Sequence, residues 1–477
     1  MSPVVSKRIA GATGALVLSL AMVNTALAQD YNEKPTSAEL AKLGLEGTEL
    51  TPAGAIRAGN TEGTIPAWKN EPLPVPSGFT PGSFHADPFA ADQVLFKITA
   101  QNYKQYADKL SPGQQKMFET YPDYFMNVYP SRRSAVFKPH IYEAALKNAG
   151  KAKIVISTKF PGLIGFEDAR NSWAFPVPKN GAQGMINLFT RPVQPWKDSW
   201  DNIAPVTAAG SYEVNKLSVQ QNWPYSDPAN GWDNPGYDPA SPGGGLKYYQ
   251  TTTAPAKQAG QVVLARDPVS FVNQFRQAWS YSPGQRRVKR APQIVYDNPL
   301  TSSDGLATTD QKFGYNGPND RFEWTLEGKA EVYVPYNAYK MHTDKLKVAD
   351  IITKDGRLNQ DLVRYELHRV WKLKGTLKQG TTHDYGTRVM YLDEDSWWYL
   401  LGDHYDRRNQ LWRLYELHSV MYQDVGYLDS TIENQYDMQA GRMVILGLDN
   451  EDGAPKFDFR ADDDYFTPGQ IRRRGVR

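Results

Sequence analysis

Between Arg321 and Lys374 the sequence alternates. Phe322, Trp324 and Leu326 take every second place, with Arg321, Glu323, Thr325 and Glu327 between them, and Gly328 allows a bulge. Val363, Tyr365, Leu367, Trp371 and Leu373 keep the same period, with Arg364, Glu366, His368, Lys372 and Lys374 opposite. A period of two sends successive side chains to opposite faces, so this stretch predicts strands rather than helices. Arg388 to Leu392 and Trp397 to Leu401 flank Asp393-Glu394-Asp395-Ser396 as a hairpin, and Leu411 to Tyr422 and Met443 to Leu448 add two strands. Five or more strands on short turns predict a strongly curved antiparallel sheet. One face is expected to be lined with aromatics and the other to be polar and solvated.

Composition agrees with a β-rich class: 12% of the 477 residues are aromatic, including 28 Tyr and 12 Trp. Hydrophobic residues at 40% supply a core, and 22% charged residues exclude a wholly disordered chain. There is no cysteine. That excludes disulfides, Cys-ligated zinc, iron–sulfur clusters and a thiol nucleophile. Lys7 and Arg8, the apolar or small run from Ile9 to Val23, and Ala26-Leu27-Ala28 read as a signal peptide over 1–28, cut between Ala28 and Gln29. With no Cys to carry lipid, the expectation is a periplasmic protein that is not a lipoprotein. Without Lys7 and Arg8 the chain has 52 basic and 52 acidic side chains, so no bulk field draws nucleic acid.

Three parts are expected. Residues 29–90 form a Pro/Gly-rich arm wrapping over the surface, with a short helix from Ser37 to Leu43. Residues 91–477 form one large half-barrel β domain with helices within 91–150: Ala91 to Leu110, Gly113 to Phe118 capped at Ser111-Pro112, and Ile141 to Asn148. The Trp-, Pro- and Gly-rich stretch 195–245 reads as a long loop insertion. Ala278 to Tyr281 and Arg286 to Arg290 flank Ser282-Pro283-Gly284-Gln285 as a hairpin with a cationic second strand. Charges on both its faces suit a sheet edge protected from pairing, or recognition of an anionic headgroup or acidic partner.

Catalytic motifs are missing: no G-x-S-x-G, no phosphate-binding glycine loop and no H-E-x-x-H occur. The seven histidines are scattered without metal-ligand spacing, and surface or hydrogen-bonding roles are expected for them. Asp393-Glu394-Asp395, Asp462-Asp463-Asp464 and Asp449-Asn450-Glu451-Asp452-Gly453 read as turns, because Asp satisfies backbone groups there. Tyr365-Glu366-Leu367-His368 recurs fifty residues on as Tyr415-Glu416-Leu417-His418. It reads as two similar amphipathic strands with outward Glu and His.

Four longer motifs carry a resemblance: LTPAGAIRAGNTEGTIPAW from Leu50, AWSYSPGQRRVKRAP from Ala278, GKAEVYVPYNAY from Gly328, and YLDEDSWWYLLGDHYDRRNQLWRLYE from Tyr391. The chain resembles the exported proteobacterial proteins of domain-of-unknown-function family 1329, which are similar to outer-membrane lipoprotein-sorting proteins. The resemblance implies an α+β, mainly antiparallel β fold: an incomplete β-barrel of LolA/LolB type with helices on its concave side. It also implies association with resistance–nodulation–division type transporters and an outer-membrane protein. It supplies no catalytic residue. The chain departs from true lipoprotein carriers in its much greater size and in lacking an anchoring Cys.

The function expected is a non-enzymatic carrier of a hydrophobic molecule or lipid, without metal or cofactor. Phe322, Trp324, Leu326, Trp397, Tyr399 and Trp412 are the expected ligand lining, and Arg286, Arg287, Lys289 and Arg290 a basic rim. An adaptor subunit of an envelope transport complex is the alternative, and an aromatic-rich polysaccharide-active enzyme a remote one.

Overall fold

The computed structural model describes residues 30–474, so the expected signal peptide and its Ala28–Gln29 junction lie outside the described residues. Strands β1 (Phe96–Thr99) and β2 (Phe125–Val128) pair with each other, as do β3 (Lys153–Ile156) and β4 (Ile164–Glu167). Next come β5 (Trp196–Trp200), β6 (Ile203–Val206), β7 (Lys216–Asn222), β8 (Leu246–Ala254), β9 (Val262–Asp267), β10 (Gln277–Ser282) and β11 (Arg287–Arg290). The last block is β12 (Phe322–Pro335), β13 (Tyr365–Leu377), β14 (Tyr385–Asp393), β15 (Tyr399–Asp406), β16 (Leu411–Tyr422), β17 (Tyr427–Asp437) and β18 (Arg442–Leu446).

All but β3 and β4, which make a separate two-stranded sheet, form two large open sheets. Ten strands run β1-β2-β13-β14-β15-β16-β17-β18-β6 with β12 on the flank of β13, and six run β11-β10-β9-β8-β7-β5. Nearly every ladder is antiparallel. Among the named strands the exception is one parallel bridge, Tyr365 to Val128. β12 also touches β15 and β16, which are not its ladder partners, so the large sheet curls without closing. The fold is therefore mostly antiparallel β with few helices and no closed barrel among the described residues. No described helix is long and apolar enough to cross a membrane.

Local chemistry explains the elements that sequence anticipates. Phe322 and Trp324 are buried on β12, and the register slips between Leu326 and Gly328, the bulge that the alternation allows. Helices α1 (Ser37–Leu40), α2 (Pro112–Thr120), α3 (Pro139–Asn148) and α4 (Gly181–Thr190) precede the long strands. At α2 the Ser111 hydroxyl accepts from Gln114 N at 3.2 Å while Gln114 Oε1 accepts from Ser111 N at 3.0 Å, a reciprocal cap. The first helix is capped by Thr36 rather than Ser37 and stops at Leu40.

Four expectations are corrected. Ala91 to Leu110 is not a helix: it holds β1 and a 3₁₀ turn over Tyr103–Lys109. Its apolar residues never form a stripe, because Ile98 is buried while Val94 and Leu95 are exposed. The 195–245 stretch contains β5, β6 and β7, the polar residues of β5 and β7 concealing their alternation, and its longest strand-free part lies beyond Asn222. The arm does more than cross the surface. Ala53, Ala55, Ile65 and Trp68 are buried, with Trp68 edge-on to Tyr142 at 6.0 Å. Finally, the polar face of the large sheet is solvated only in part: Glu323, Thr325 and Glu327 are exposed on β12, whereas Glu366, His368, Glu416 and His418 are buried. Arg132 N and Asn337 meet Glu366, and Tyr336 stacks on His368, while α2 packs on β15 and β16 and α4 packs on the apolar face of β12 and β13 beside Leu326 and Leu373.

Candidate functional site

The six-stranded sheet presents one face to the segment 293–316, and a cleft lies between them. Alternation selects its floor. Tyr248 and Ala265 are directly opposed, as are Gln250 and Val263, and Val263 and Ser280. These residues therefore share a face. The outer part of the cleft holds about 360 Å³, between Thr252, Val263, Ser280 and Ser282 on the sheet and Ile294 and Pro299 above. A narrower inner part of about 50 Å³ reaches Ile203, Leu246, Leu300 and Phe313. Val263, Ile294 and Thr301 line both parts, so the two adjoin.

Charge at the inner end is neutralised in place. Arg276 donates to both Asp267 oxygens at 2.7 and 2.8 Å, and Lys312 pairs with Asp201. Burial works against the Arg276 charge, but the Asp267 carboxylate outweighs it and holds the guanidinium above its ordinary range. The Tyr248 hydroxyl donates to Gln250 Oε1 at 2.7 Å, and burial keeps it protonated. The cleft thus has an apolar middle, outer walls rich in Thr, Ser, Gln and Asn, and an ion-paired end.

The six aromatic and apolar residues expected to line a ligand site lie elsewhere. Phe322, Trp324, Trp397 and Tyr399 are buried, and Leu326 and Trp412 are half-buried. They pack on other side chains: Trp397 stacks on Trp371 at 5.2 Å, Tyr399 lies tilted against Tyr415 at 4.9 Å, and Trp324 is edge-on to Tyr315 at 5.4 Å. None lines the cleft. The expected basic rim is where the hairpin reading puts it. Arg287, Lys289 and Arg290 sit exposed on β11, the edge strand of the six-stranded sheet, and Arg286 in the turn before it.

Buried charge networks are what the sequence does not reveal. Asp393, Glu394 and Asp395 form a hairpin turn, yet all three are buried. Arg133 reaches Asp395 at 2.6 Å and Glu394 at 3.3 Å, Arg369 reaches Glu394 at 2.7 Å, and Lys329 reaches it at 2.9 Å. These groups also grip the arm. Lys329 donates to Gly54 O, Arg369 to Ile56 O and Ala58 O, and Glu394 accepts from Ile56 N at 3.1 Å. Burial, and then the charge of Asp395, pushes Asp393 up to about 7. A second network joins Asp310, His383 and Arg388. His85, His342, His368, His383, His404 and His418 serve as hydrogen-bonding core groups, His140 is half-buried, and no cluster of three metal-ligating side chains occurs among the described residues.

Fold and site together define a large open-sheet protein with a buried polar core and a cleft of mixed lining against its second sheet. The family model described as protein of unknown function, DUF1329, matches residues 97–472, and the chain belongs to that family. An uncharacterized protein of Pseudomonas aeruginosa is 42% identical over 468 residues, covering 98% of each chain. Among solved structures, a DUF1329 family protein from Desulfovibrio piger is 14% identical with a TM-score of 0.41, covering 61% of this chain and 100% of that one. A LolA superfamily protein from Nitrosomonas europaea is 11% identical with a TM-score of 0.36, covering 61% and 98%.

Proposed function

We propose that the protein is a non-enzymatic carrier in the bacterial periplasm, taking a hydrophobic or acyl-chain ligand into the cleft between the six-stranded sheet and segment 293–316. One observation carries this reading. Protein interiors are close-packed, and a cleft of this size, with Val263, Ile294, Leu246 and Phe313 as apolar contacts, is in the range of ligand pockets. Its outer part alone holds about 360 Å³. Burying roughly 300 Å² of ligand would supply about 7 kcal/mol before ordering costs, enough to hold cargo and still release it. An envelope transporter or outer-membrane protein is the partner class that would receive such cargo.

The test is native mass spectrometry of protein purified from its own envelope, together with titration of a neutral apolar fluorophore such as N-phenyl-1-naphthylamine. The expected result is a bound hydrophobic molecule near one per chain, and saturable fluorophore binding that Val263→Trp abolishes. Val263 is half-buried at the junction of the two parts, so the larger ring would fill the cleft. Binding that ignores Val263→Trp would overturn the reading.

A further inference from the structure

The cationic strand β11 and the cleft are one surface. Ser280 is directly opposed to Lys289, and Ser282 to Arg287. Directly opposed residues of an antiparallel pair place their Cβ atoms about 5 Å apart on one face. Ser280 and Ser282 are walls of the outer cleft, so Lys289 and Arg287 project from the same face immediately beside them. Arg287 and Lys289 are exposed. Nearby ion pairs join Arg276 to Asp267 and Arg321 to Asp297, and none among the described residues engages Arg287 or Lys289.

Charge along the cleft is therefore asymmetric. At the inner end each cation has its own carboxylate, Asp267 or Asp201. At the β10–β11 end two cations stand without one. General basicity does not account for this, since the chain carries a formal net charge of only +2 over 477 residues. The axis is long enough to matter. Thr252 lines the outer part and Leu246 the inner part, six residues apart on β8, which is about 20 Å of strand.

We propose that the ligand is an acyl amphiphile with an anionic headgroup, its chain lying along the cleft and its headgroup meeting Lys289 and Arg287. The proposal rests on the carrier reading and names the cargo class. A slot of this length, with Val263, Ile294, Leu246, Leu300 and Phe313 as its apolar contacts, accepts an alkyl chain, and unmatched cations at one end select the sign of the head. A neutral apolar molecule would leave Lys289 and Arg287 idle, and a cationic amphiphile would be repelled.

Binding of lysophosphatidylglycerol and lysophosphatidylcholine with the same acyl chain, both kept monomeric, tests the proposal on the mature full chain. The anionic lipid is expected to bind about tenfold more tightly at low salt, and the gap to narrow in 0.5 M salt. In the double variant R287S/K289S, lysophosphatidylglycerol should fall to the level of lysophosphatidylcholine, whose binding should not change. Both side chains are exposed, so an unaltered melting curve would certify the fold. Equal affinity in the parent protein, or a preference that survives in R287S/K289S, overturns the headgroup assignment and leaves the carrier reading standing. Failure of both lipids to bind sinks the two together.

Discussion

The Tyr365 hydroxyl donates to Glu416 Oε1 at 2.8 Å. These residues belong to the two copies of Tyr-Glu-Leu-His, on β13 and β16, so motifs fifty residues apart meet inside the curled sheet. Asn434 Nδ2 donates to the other Glu416 oxygen at 3.3 Å, and the Tyr124 hydroxyl lies 3.2 Å from that of Tyr365. The carboxyl group is enclosed by neutral donors. Burial pushes it up to about 7, and the bonds from Tyr365 and Asn434 oppose this only in part.

That shift fixes the sign of a pH dependence. Between the ordinary carboxylate range and about 7, the folded chain keeps a proton on Glu416 that the unfolded chain has released. Stability therefore falls as pH rises through this window. Glu416→Gln cannot ionise. It should match the parent near pH 4.5 and exceed its stability by about 2–3 kcal/mol at pH 8. Burial lowers His342 to about 3 and His418 to about 4, which acts in the opposite direction below pH 6.5. Both proteins share those histidines, so the difference isolates Glu416. Urea denaturation at the two pH values measures it, and a constant difference would refute the argument.

Glu394 holds the arm through its neighbours. Replacing it with Gln leaves Arg133, Arg369 and Lys329 facing Asp395 and a reluctant Asp393, at a cost of about 3–5 kcal/mol. The arm should loosen with it, because the same cations donate to Gly54, Ile56 and Ala58 carbonyls. Limited trypsin digestion should then cut after Arg57 in Glu394→Gln while the parent resists. Equal cutting rates would show that the arm is held by packing alone.

Two glycines of the arm separate backbone strain from close approach. Gly54 and Gly63 both have positive φ, 82° and 71°. A Cβ on Gly54 would lie 1.8 Å from Pro176 O, whereas one on Gly63 would meet nothing within 4 Å. Gly63→Ala should cost about 1–2 kcal/mol, the left-handed penalty alone. Gly54→Ala should cost at least about 2 kcal/mol more, because the arm must leave its seat. Equal melting points for the two variants would contradict this.

Local periodicity is the part of the fold that the sequence makes legible. Alternation locates β12 and its slip before Gly328, and Ser111-Pro112-Gly113-Gln114 announces a helix start, because both signals act over a few residues. The covering of a face is not local. Glu366 and Glu416 alternate like solvated residues, but elements distant in sequence bury them. Arg133 and Asp395 are 262 residues apart in sequence, and nothing about either residue in its own loop announces the other. The cleft is hidden for the same reason. Alternation on β12, β15 and β16 marks aromatics as buried without saying whether protein or ligand buries them. The cleft floor on β8 to β10 carries Thr, Gln and Ser, residue types with no apolar signal of their own.

Asp310 provides a sharper test of the buried networks. Both its oxygens accept from Arg388 Nη2, at 2.9 and 2.8 Å, and His383 Nε2 lies 3.1 Å away. Arg388 Nε and Nη1 find no hydrogen-bond partner among the described residues; its guanidinium lies 5.1, 5.0 and 4.9 Å from the Tyr315, Phe322 and Tyr385 ring centres. Burial alone would raise Asp310, but the Arg388 charge outweighs it and holds the carboxyl well below its usual range. Its contribution is thus present at neutral pH and lost as pH falls below about 4. Asp310→Asn should cost about 3–5 kcal/mol at pH 7, with the difference from the parent shrinking in acid. Adding Arg388→Met should restore most of that loss, because the methionine fills the space among the three rings without an unpaired charge. If the double variant is as unstable as Asp310→Asn in urea at pH 7, the loss comes from broken hydrogen-bond geometry rather than from a stranded guanidinium.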